Sequence, residues 1–354
     1  MTARAAAGRT ESGRTEPGRT EPGRTGTVPT ANGPAASVVI AAFSSERWEY
    51  LQDAVASVAA QTRQPLETIV VIDHNPDLLS RARRELPDTL VIANTGARGA
   101  SGARNTGVAL SRGEIVAFLD DDACATTGWL ETLIAGFADP AVAGVGGRVD
   151  PLWATARPRW LPREFDWTVG ASYSGMPETT AQVRNVWTNN MALRRRAFDA
   201  AGGFREDFGK LGVASRPEDT ELCLRVTSGS WLYEPASAVG HWVPAQRATV
   251  RYFLRRCFDE GQGKAGIVAL DGAAKGTSTE RSYTMRVLPA AVGRGLREAL
   301  AGDRSGALRS AAIIGGFGTA AVGFAAGCVS AAASRRASCG AVSRPADTEL
   351  AVSR

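Results

Sequence analysis

The sequence has few of the residues that build histidine-rich metal sites, disulfide frameworks or nucleic-acid interfaces. Its two histidines, His74 and His241, are too few for a histidine-rich zinc site. Its five cysteines are odd in number, widely separated and without a CxxC pair, which favours reduced thiols in a cytosolic compartment over disulfides. The net charge of +5 is modest. Because the basic residues form no dense patch or nucleic-acid-binding motif, no nucleic-acid partner is expected.

The length of 354 residues, with 44% hydrophobic residues, is enough for one large domain or two smaller ones. Residues 1–35 are mostly a charged GRTE repeat with almost nothing apolar to bury, so we expect them to be disordered. The repeat also lacks the apolar core of a signal peptide. We predict a folded domain over 36–245, a helical extension over 246–300, and an apolar helix with a polar tail over 301–354.

The segment Gly113–Cys124 joins an apolar strand to three consecutive carboxylates in the sequence GEIVAFLDDDAC. Ile115–Leu119 is apolar and partly β-branched, as is typical of a strand buried on both faces. Asp120, Asp121 and Asp122 at its end repel one another unless a cation neutralises them. Oxygen ligands suit Mg²⁺ or Mn²⁺, which often bind substrate phosphates as well. A solvated acidic turn before the next helix is the alternative interpretation.

Two further apolar strands, Ser37–Ala42 and Leu66–Asp73, alternate with helical segments. This alternation predicts an α/β fold with a mostly parallel sheet flanked by helices. The carboxyl ends of parallel strands meet at one edge, so we expect Asp73 to lie near the acidic triplet, where α/β folds bind ligands. A carboxylate there can accept hydrogen bonds from a nucleotide base or ribose. A plain strand-end turn is the alternative.

Several other polar residues have both a functional and a structural interpretation. Gly96–Gly107 is rich in glycine but lacks the GxGxxG spacing of a dinucleotide fingerprint. Within it, Arg104 and Asn105 would contact a base or phosphate, or else be an exposed arginine and a capping asparagine. Glu218–Asp219 opens a helix, where acids also serve the helix dipole. His241 follows a strand, and a single histidine is often structural.

Six motifs in order resemble the family-2 glycosyltransferases of GT-A fold, from about Ser37 to Lys264. They are SVVIAAF, VVID at Val70–Asp73, GARNTGVALSRGEIVAFLDDDA, NNMALRR at Asn189–Arg195, GGF and PEDTELCLR. The resemblance implies a Rossmann-like GT-A domain with a helical C-terminal extension. It also implies a nucleotide-diphosphate sugar as donor, with UDP-sugar as the default, and a Mg²⁺ or Mn²⁺ cofactor.

The resemblance further implies roles for individual residues. Asp219, next to Glu218, would be the catalytic base that takes the proton of the acceptor hydroxyl. Asp122 and His241 would ligate the metal. The other residues expected to bind substrate are Ala42, Phe43, Asp73, Arg104, Asn105, Asp120, Asp121 and Asn190. A single in-line displacement would invert the anomeric carbon.

Two features bear on the acceptor. The QxxRW element of processive synthases is absent, which favours the addition of one sugar over polymer synthesis. The stretch RRCFDEGQGKA resembles a subgroup that uses lipid-linked acceptors, in which Arg255, Arg256 and Lys264 would hold the acceptor's phosphates. A solvated helix face is the alternative. We therefore expect a glycan or lipid-linked acceptor.

The apolar stretch Ala311–Ala333 bears on localisation. It is uncharged and long enough to span a bilayer, but it is built from Ala and Gly rather than Leu and Ile. Spanning the membrane, lying on its surface and packing as a soluble helix all remain open. We expect a cytoplasmic protein at the cytoplasmic face of the plasma membrane, with the membrane surface as a partner.

Two other classes of function are alternatives to an inverting, metal-dependent hexosyltransferase. A sugar nucleotidylyltransferase can share the same sheet, but it needs a glycine-rich phosphate loop where this chain has AFSSER after the first strand. A non-catalytic nucleotide-sugar-binding scaffold would have no use for a catalytic acid. The Glu218–Asp219 pair favours the enzyme.

Overall fold

The computed structural model describes residues 33–211, 214–271 and 282–342, without the side chains of 210–216, 270–271 and 333–342. The N-terminal repeat and the polar tail lie outside the described residues, so their predicted structure stays a prediction. The strands are β1 Ala36–Ala42, β2 Glu67–Ile72, β3 Leu90–Ala93, β4 Ile115–Asp120, β5 Ala123–Ala125, β6 Val142–Trp153, β7 Ala181–Val183, β8 Asn190–Arg194, β9 Gly209–Leu211, β10 Ala214–Arg216 and β11 Ser230–Val243.

Helices separate most of these strands. The α-helices are α1 Trp48–Ala59, α2 Pro76–Glu85, α3 Ala100–Leu110, α4 Trp129–Ala135, α5 Arg195–Ala201, α6 Glu218–Arg225, α7 Val250–Asp271, α8 Leu288–Leu300 and α9 Arg304–Val342. Short 3₁₀-helices cover Ser45–Arg47, Gly136–Ala138, Arg163–Val169 and Ala245–Ala248, and a π-helix covers Tyr283–Val287.

The main sheet has the strand order β3-β2-β1-β4-β8-β6-β11-β5, with β7 paired to β11. The strands from β3 to β4 are parallel, as the sequence predicts. Strand β8 then runs antiparallel to both β4 and β6, so the second half of the sheet is mixed. The fold is therefore α/β, with a Rossmann-like parallel half.

Apolar side chains cover both faces of the parallel half. Along β1, Val38 and Ile40 pack into the core beneath α1, α2 and α4, whereas Val39 packs on the opposite face with α3, α5 and α6. A strand buried on both faces needs a continuous apolar run, which β1 has. The register pairs Ala42 with Ile72 and Ala41 with Asp120. The ends of β1, β2 and β4 thus lie at one edge of the sheet.

Strand β11 is longer than the sequence indicates. The sequence pattern predicts a short strand over Trp231–Pro235. The observed strand continues past an irregularity between Glu234 and Ala238 and ends at Val243. Its second half pairs antiparallel with β5, which places His241 opposite Ala123. The backbone N–H of Trp242 donates to the carbonyl of Asp122 at 2.9 Å. This pairing places His241 beside the acidic triplet Asp120–Asp122.

The C-terminal helices α7, α8 and α9 pack on one another and on the tryptophan-rich segment that contains Leu161 and Phe165. Helix α9 lies close along α7 because glycines face the contact: a Cβ on Gly261 would lie 2.0 Å from the Ala320 carbonyl oxygen. A Cβ on Gly323 would lie 2.1 Å from the Phe258 carbonyl oxygen. The GxxxG spacing at Gly323 and Gly327 therefore serves packing within this chain.

Two glycines of α9 provide a matched test of this packing. Gly323→Ala places a methyl group against the Phe258 carbonyl, and we expect the free energy of unfolding to fall by about 1–3 kcal/mol. Gly318→Ala meets no atom within 4 Å and should raise that energy by about 0.5–1 kcal/mol, because alanine favours the helix. Urea unfolding measures both. Effects of the same sign would contradict the close α7–α9 contact.

Candidate active site

The three consecutive carboxylates at the end of β4 face different partners. Asp120 is partly exposed and accepts a hydrogen bond from Arg104 Nη2 at 2.9 Å. Asp121 is buried, and its Oδ1 lies 2.8 Å from Arg47 Nη1. Asp122 is also buried, and its Oδ1 lies 3.3 Å from His241 Nε2. Asp120 thus lies at the open edge of the sheet, whereas Asp121 and Asp122 lie in the interior.

Asp120, Asp122 and His241 form a candidate cation site. Each offers one ligand atom, and these atoms all lie within 4.8 Å of one another. Burial alone would raise the pKa of Asp122, but its hydrogen bond to His241 and the nearby His241, Arg47 and Arg247 lower that pKa to about 2. The carboxylate is therefore ionised, as a metal ligand must be.

The donor set fits a divalent cation of the Mg²⁺ and Mn²⁺ type. Two carboxylates suit either ion, and an imidazole nitrogen is more common for transition metals. Among the described residues, His241 Nδ1 is buried and has no hydrogen-bond partner. The ring faces Gly170, whose φ of +81° is left-handed and whose missing Cβ leaves room, since a Cβ there would lie 3.0 Å from His241 Cε1.

Asp121 has a different environment from its two neighbours. Burial raises its pKa to about 7, with the charges of Asp122 and Asp120 adding to the effect and Arg47 opposing it. Its Oδ2 is buried without a hydrogen-bond partner in the described part of the chain. Its side chain turns toward the loop after β1 rather than toward the open edge. Sequence reasoning predicted a substrate contact for Asp121, and this geometry favours a supporting role.

Arg104 links the acidic edge to helix α6. Its guanidinium, buried in α3, donates to Asp120 and, from Nη1, to Glu218 Oε1 at 3.0 Å. It also lies 5.7 Å from the centre of the Phe204 ring. Burial opposes its charge, but Asp120 and Glu218 outweigh that effect and raise its pKa above the ordinary value. The two predicted acidic motifs are therefore joined by one buried cation.

Asp73 organises the loop in front of α3. Its Oδ1 accepts a hydrogen bond from Asn94 Nδ2 at 2.6 Å, and its Oδ2 accepts one from the Gly99 N–H at 2.9 Å. Its own N–H donates to the Ala42 carbonyl at 2.7 Å. Phe43, which follows Ala42 in the chain, is 57% exposed at the same sheet edge. Ala42, Phe43 and Asp73 are thus together, as the sequence predicts.

A cavity of about 600 Å³ lies between this edge and the C-terminal helices. Asp120, Glu218 and Asp219 line it from the sheet body, and Arg256, Glu260 and Lys264 line it from α7. Aromatic rings form much of the remaining wall: Trp167, Tyr173, Trp187, Tyr283, Phe317 and Phe324. The cavity therefore combines a charged end with a long apolar wall.

Asp219 lies in the first turn of α6 and borders the cavity. Its Oδ1 accepts a hydrogen bond from the Thr220 N–H at 2.6 Å. Burial raises the pKa of Asp219 to about 7, and the charges of Glu218 and Glu260 add to the increase against the opposing Thr220 N–H and Arg104. A carboxylate with a pKa near neutrality can accept a proton and release it again at physiological pH.

Among the predicted substrate-binding residues, Asp120, Arg256 and Lys264 line the cavity, and the other eight do not. Three of those eight have contacts that fix them elsewhere. The side-chain amide of Asn105 exchanges hydrogen bonds with the Phe204 backbone. Asn190 is only 1% exposed: it donates to the carbonyls of Arg148 and Ser237 and accepts from Trp129 Nε1. Arg255 is exposed and lies 3.8 Å from Asp259. These contacts favour structural or surface roles.

Sequence reasoning missed other residues around the site. Asn189 lines the cavity in place of Asn190, because successive side chains near a strand point to opposite sides. Its Nδ2 donates to the Gly170 carbonyl at 2.9 Å. Phe317 and Phe324 come from the apolar stretch Ala311–Ala333, for which the sequence leaves both a membrane position and soluble packing open. Arg47 contacts Asp121 and Asp122. The only sequence feature that points to it is its position soon after the first strand.

The chain is similar in sequence to known proteins. A family model described as Glycosyl transferase family 2 matches residues 37–202. The chain is 33% identical over 236 residues to glucosyl-dolichyl phosphate glucuronosyltransferase of Haloferax volcanii, covering 64% of this chain and 75% of that protein. It is 27% identical over 255 residues to succinoglycan biosynthesis protein ExoM of Rhizobium meliloti, covering 70% of this chain and 74% of that protein.

The fold is also similar to a solved structure. The mannosyltransferase PcManGT from Pyrobaculum calidifontis, in complex with GDP-Man and Mn²⁺, aligns with a TM-score of 0.52 and 18% identity over 83% of this chain and 88% of that chain. At this identity the similarity concerns the fold alone. Together with the family match and the Haloferax relative, it confirms the predicted fold class: the chain belongs to glycosyltransferase family 2 and has the GT-A fold.

Proposed function

We propose that this protein transfers one sugar from a nucleotide-diphosphate sugar to a hydroxyl group of an acceptor, with inversion at the anomeric carbon. The observation that carries the proposal is the meeting of two acidic motifs at one cavity. Asp120 from the cation cluster and Asp219 from α6 line the same space. A donor diphosphate and an acceptor hydroxyl need such adjoining sites.

The donor is proposed to lie across the sheet edge. Its base would approach Phe43 and Asp73, whose carboxylate also orders the loop before α3. Its diphosphate would lie near Asp120, Asp122 and His241. A divalent cation held by these three residues supplies positive charge that stabilises the leaving diphosphate. UDP is the default nucleotide, with GDP and dTDP as the alternatives to test.

Asp219 is proposed as the catalytic base. The acceptor's O–H proton moves to the Asp219 carboxylate as the acceptor oxygen bonds to the anomeric carbon. The bond between that carbon and the diphosphate oxygen breaks in the same displacement, which inverts the configuration. Glu218 is engaged by Arg104, so we propose that it holds α6 in place.

The acceptor is proposed to be a lipid-linked glycan or sugar that carries phosphate. Arg256 and Lys264 on α7 line the cavity, where Lys264 pairs with Glu260 at 3.2 Å, and the aromatic wall suits sugar rings or hydrocarbon. The name of the Haloferax relative contains glucosyl-dolichyl phosphate, which is consistent with this class. Arg255 points away from the cavity, so its predicted phosphate contact is not part of this proposal.

We also propose that α9 lies on the cytoplasmic face of the plasma membrane. The segment Arg304–Ala332 is long and apolar enough to span a membrane by length and composition, and only 17% of its most apolar window is buried. One side of α9 packs along α7, which carries Arg255, Asp259, Glu260 and Lys264. A full span would carry these charges into hydrocarbon at high cost. A surface position avoids that cost.

The base assignment predicts the effect of Asp219→Asn. We expect transfer to fall by about 10²–10⁴-fold, because the amide cannot take the acceptor proton, while donor binding is unchanged. In the wild type, transfer should fall about tenfold for each pH unit below about 7, as Asp219 becomes protonated. Measurements of product formation and of donor affinity separate a loss of transfer from a loss of donor binding.

The matched control is Asp199→Asn, which makes the same chemical change on the exposed surface of α5. It should leave transfer and its pH dependence as in the wild type. Wild-type transfer rates in Asp219→Asn would contradict the assignment of the base. Loss of transfer in both variants would point to a general effect of charge and contradict it as well.

The surface position of α9 predicts which substitutions weaken membrane binding. Val322 is 62% exposed, and Val322→Glu should reduce the affinity for anionic lipid vesicles about tenfold, since about 1.5 kcal/mol of apolar burial is lost. Leu66→Glu adds the same charge at an exposed position on the sheet body and should change nothing. Vesicle co-sedimentation tests this. Equal binding by the wild type and Val322→Glu would contradict the membrane contact of α9.

A further inference from the structure

Arg47 is placed beside the candidate cation site without belonging to its ligand set. It is the last residue of the 3₁₀-helix Ser45–Arg47, which follows β1. Its Nη1 lies 2.8 Å from Asp121 Oδ1 and 3.1 Å from Asp122 Oδ2. Its guanidinium lies 5.5 Å from the centre of the Phe43 ring. One cation thus connects the first strand's loop with two of the three consecutive acids.

The two oxygens of Asp122 face different partners. Oδ2 faces Arg47 and, at 3.9 Å, Arg247 Nη2. Oδ1 faces His241 Nε2 at 3.3 Å. The arginines therefore fix the carboxylate plane from one side and leave the other oxygen directed at the histidine. Partners behind a metal ligand commonly orient it in this way.

Asp121 holds the Arg47 guanidinium in place. The Asp121 side chain is 5% exposed and accepts from the same Nη1 atom that contacts Asp122. Because Asp121 is anchored on the buried edge of β4, it ties Arg47 to the same strand end that carries Asp122. One guanidinium nitrogen thus contacts both consecutive carboxylates.

We propose that Arg47 is a positioning residue that holds Asp122 in the orientation needed to bind a divalent cation, with Asp121 as its anchor. This inference rests on the cation site of the proposed function. It assigns the predicted site residue Asp121 to the support of a ligand. It also gives the loop after β1 a part in the cation site.

Two consequences of removing Arg47 have opposite signs. The loss of a positive charge near the site would by itself strengthen cation binding. The loss of the group that orients Asp122 would weaken binding, typically about 10–100-fold for a partner behind a metal ligand. The positioning role requires the second effect to prevail. The direction of the change therefore separates positioning from simple charge balance.

The experiment is a titration with Mn²⁺ alone, followed by the paramagnetic resonance signal of the free ion, with neither donor nor acceptor present. We expect Arg47→Met to weaken Mn²⁺ binding about tenfold. Arg47→Lys keeps the charge but loses the planar group beside Phe43, and it should also weaken binding. Arg84→Met removes one exposed positive charge on α2 and should bind Mn²⁺ like the wild type.

Each outcome decides between the two effects. Weaker binding by both Arg47 variants, with Arg84→Met unchanged, supports the positioning role. Unchanged or tighter binding by Arg47→Met overturns it. If Arg47→Met does not fold, as judged by circular dichroism, Arg47→Lys decides alone, and wild-type affinity in that variant overturns the role. Failure of the wild type to bind Mn²⁺ overturns the cation site itself, and this inference with it.

Discussion

The arrangement of the site depends on how guanidinium groups compensate carboxylates at the end of a buried strand. Strand β4 delivers three consecutive acids to the sheet edge, and α6 brings Glu218 and Asp219 to the same place. Arg104 pairs with Asp120 and Glu218, while Arg47 pairs with Asp121 and Asp122. Arg104, Asp121 and Asp122 are buried, and removing the partner of a buried charge leaves that charge uncompensated, which is strongly destabilising. The two arginines therefore hold the candidate site together.

The sequence predicts the parallel half of the sheet well, because local pattern decides its structure. The strands before Asp73 and Asp120 are continuous apolar runs, and helix α6 begins at Glu218, where the sequence places its start. Strand β6 has no such run. Its glycines make room for neighbours from distant parts of the chain: a Cβ on Gly144 would lie 2.1 Å from Trp231, and one on Gly146 would lie 2.3 Å from Val186. The requirement for glycine at these two positions is apparent only from the folded sheet.

The candidate site shows the same division between local and long-range information. Sequence motifs predict Asp120, Asp122, Asp219 and His241 as site residues. In the structure, the ligand atoms of Asp120, Asp122 and His241 lie within 4.8 Å of one another. Asn189 and Asn190 differ only in side-chain direction, which the motif does not encode. The apolar stretch in α9 satisfies a hydropathy test for a membrane span, yet its glycine face packs on α7 and its aromatic residues close the cavity. These contacts arise from the tertiary fold, which a local sequence pattern does not encode.

The central claim is that the acidic edge binds a nucleoside diphosphate together with a divalent cation. The most direct measurement is calorimetric titration of the protein with UDP, GDP and dTDP, in Mn²⁺ and again with excess chelator. We predict that one nucleotide binds in Mn²⁺ and that the chelator weakens its affinity at least about tenfold, as expected when a metal clamps the diphosphate. Binding that is indifferent to the chelator, or no binding of any of the three, would contradict it.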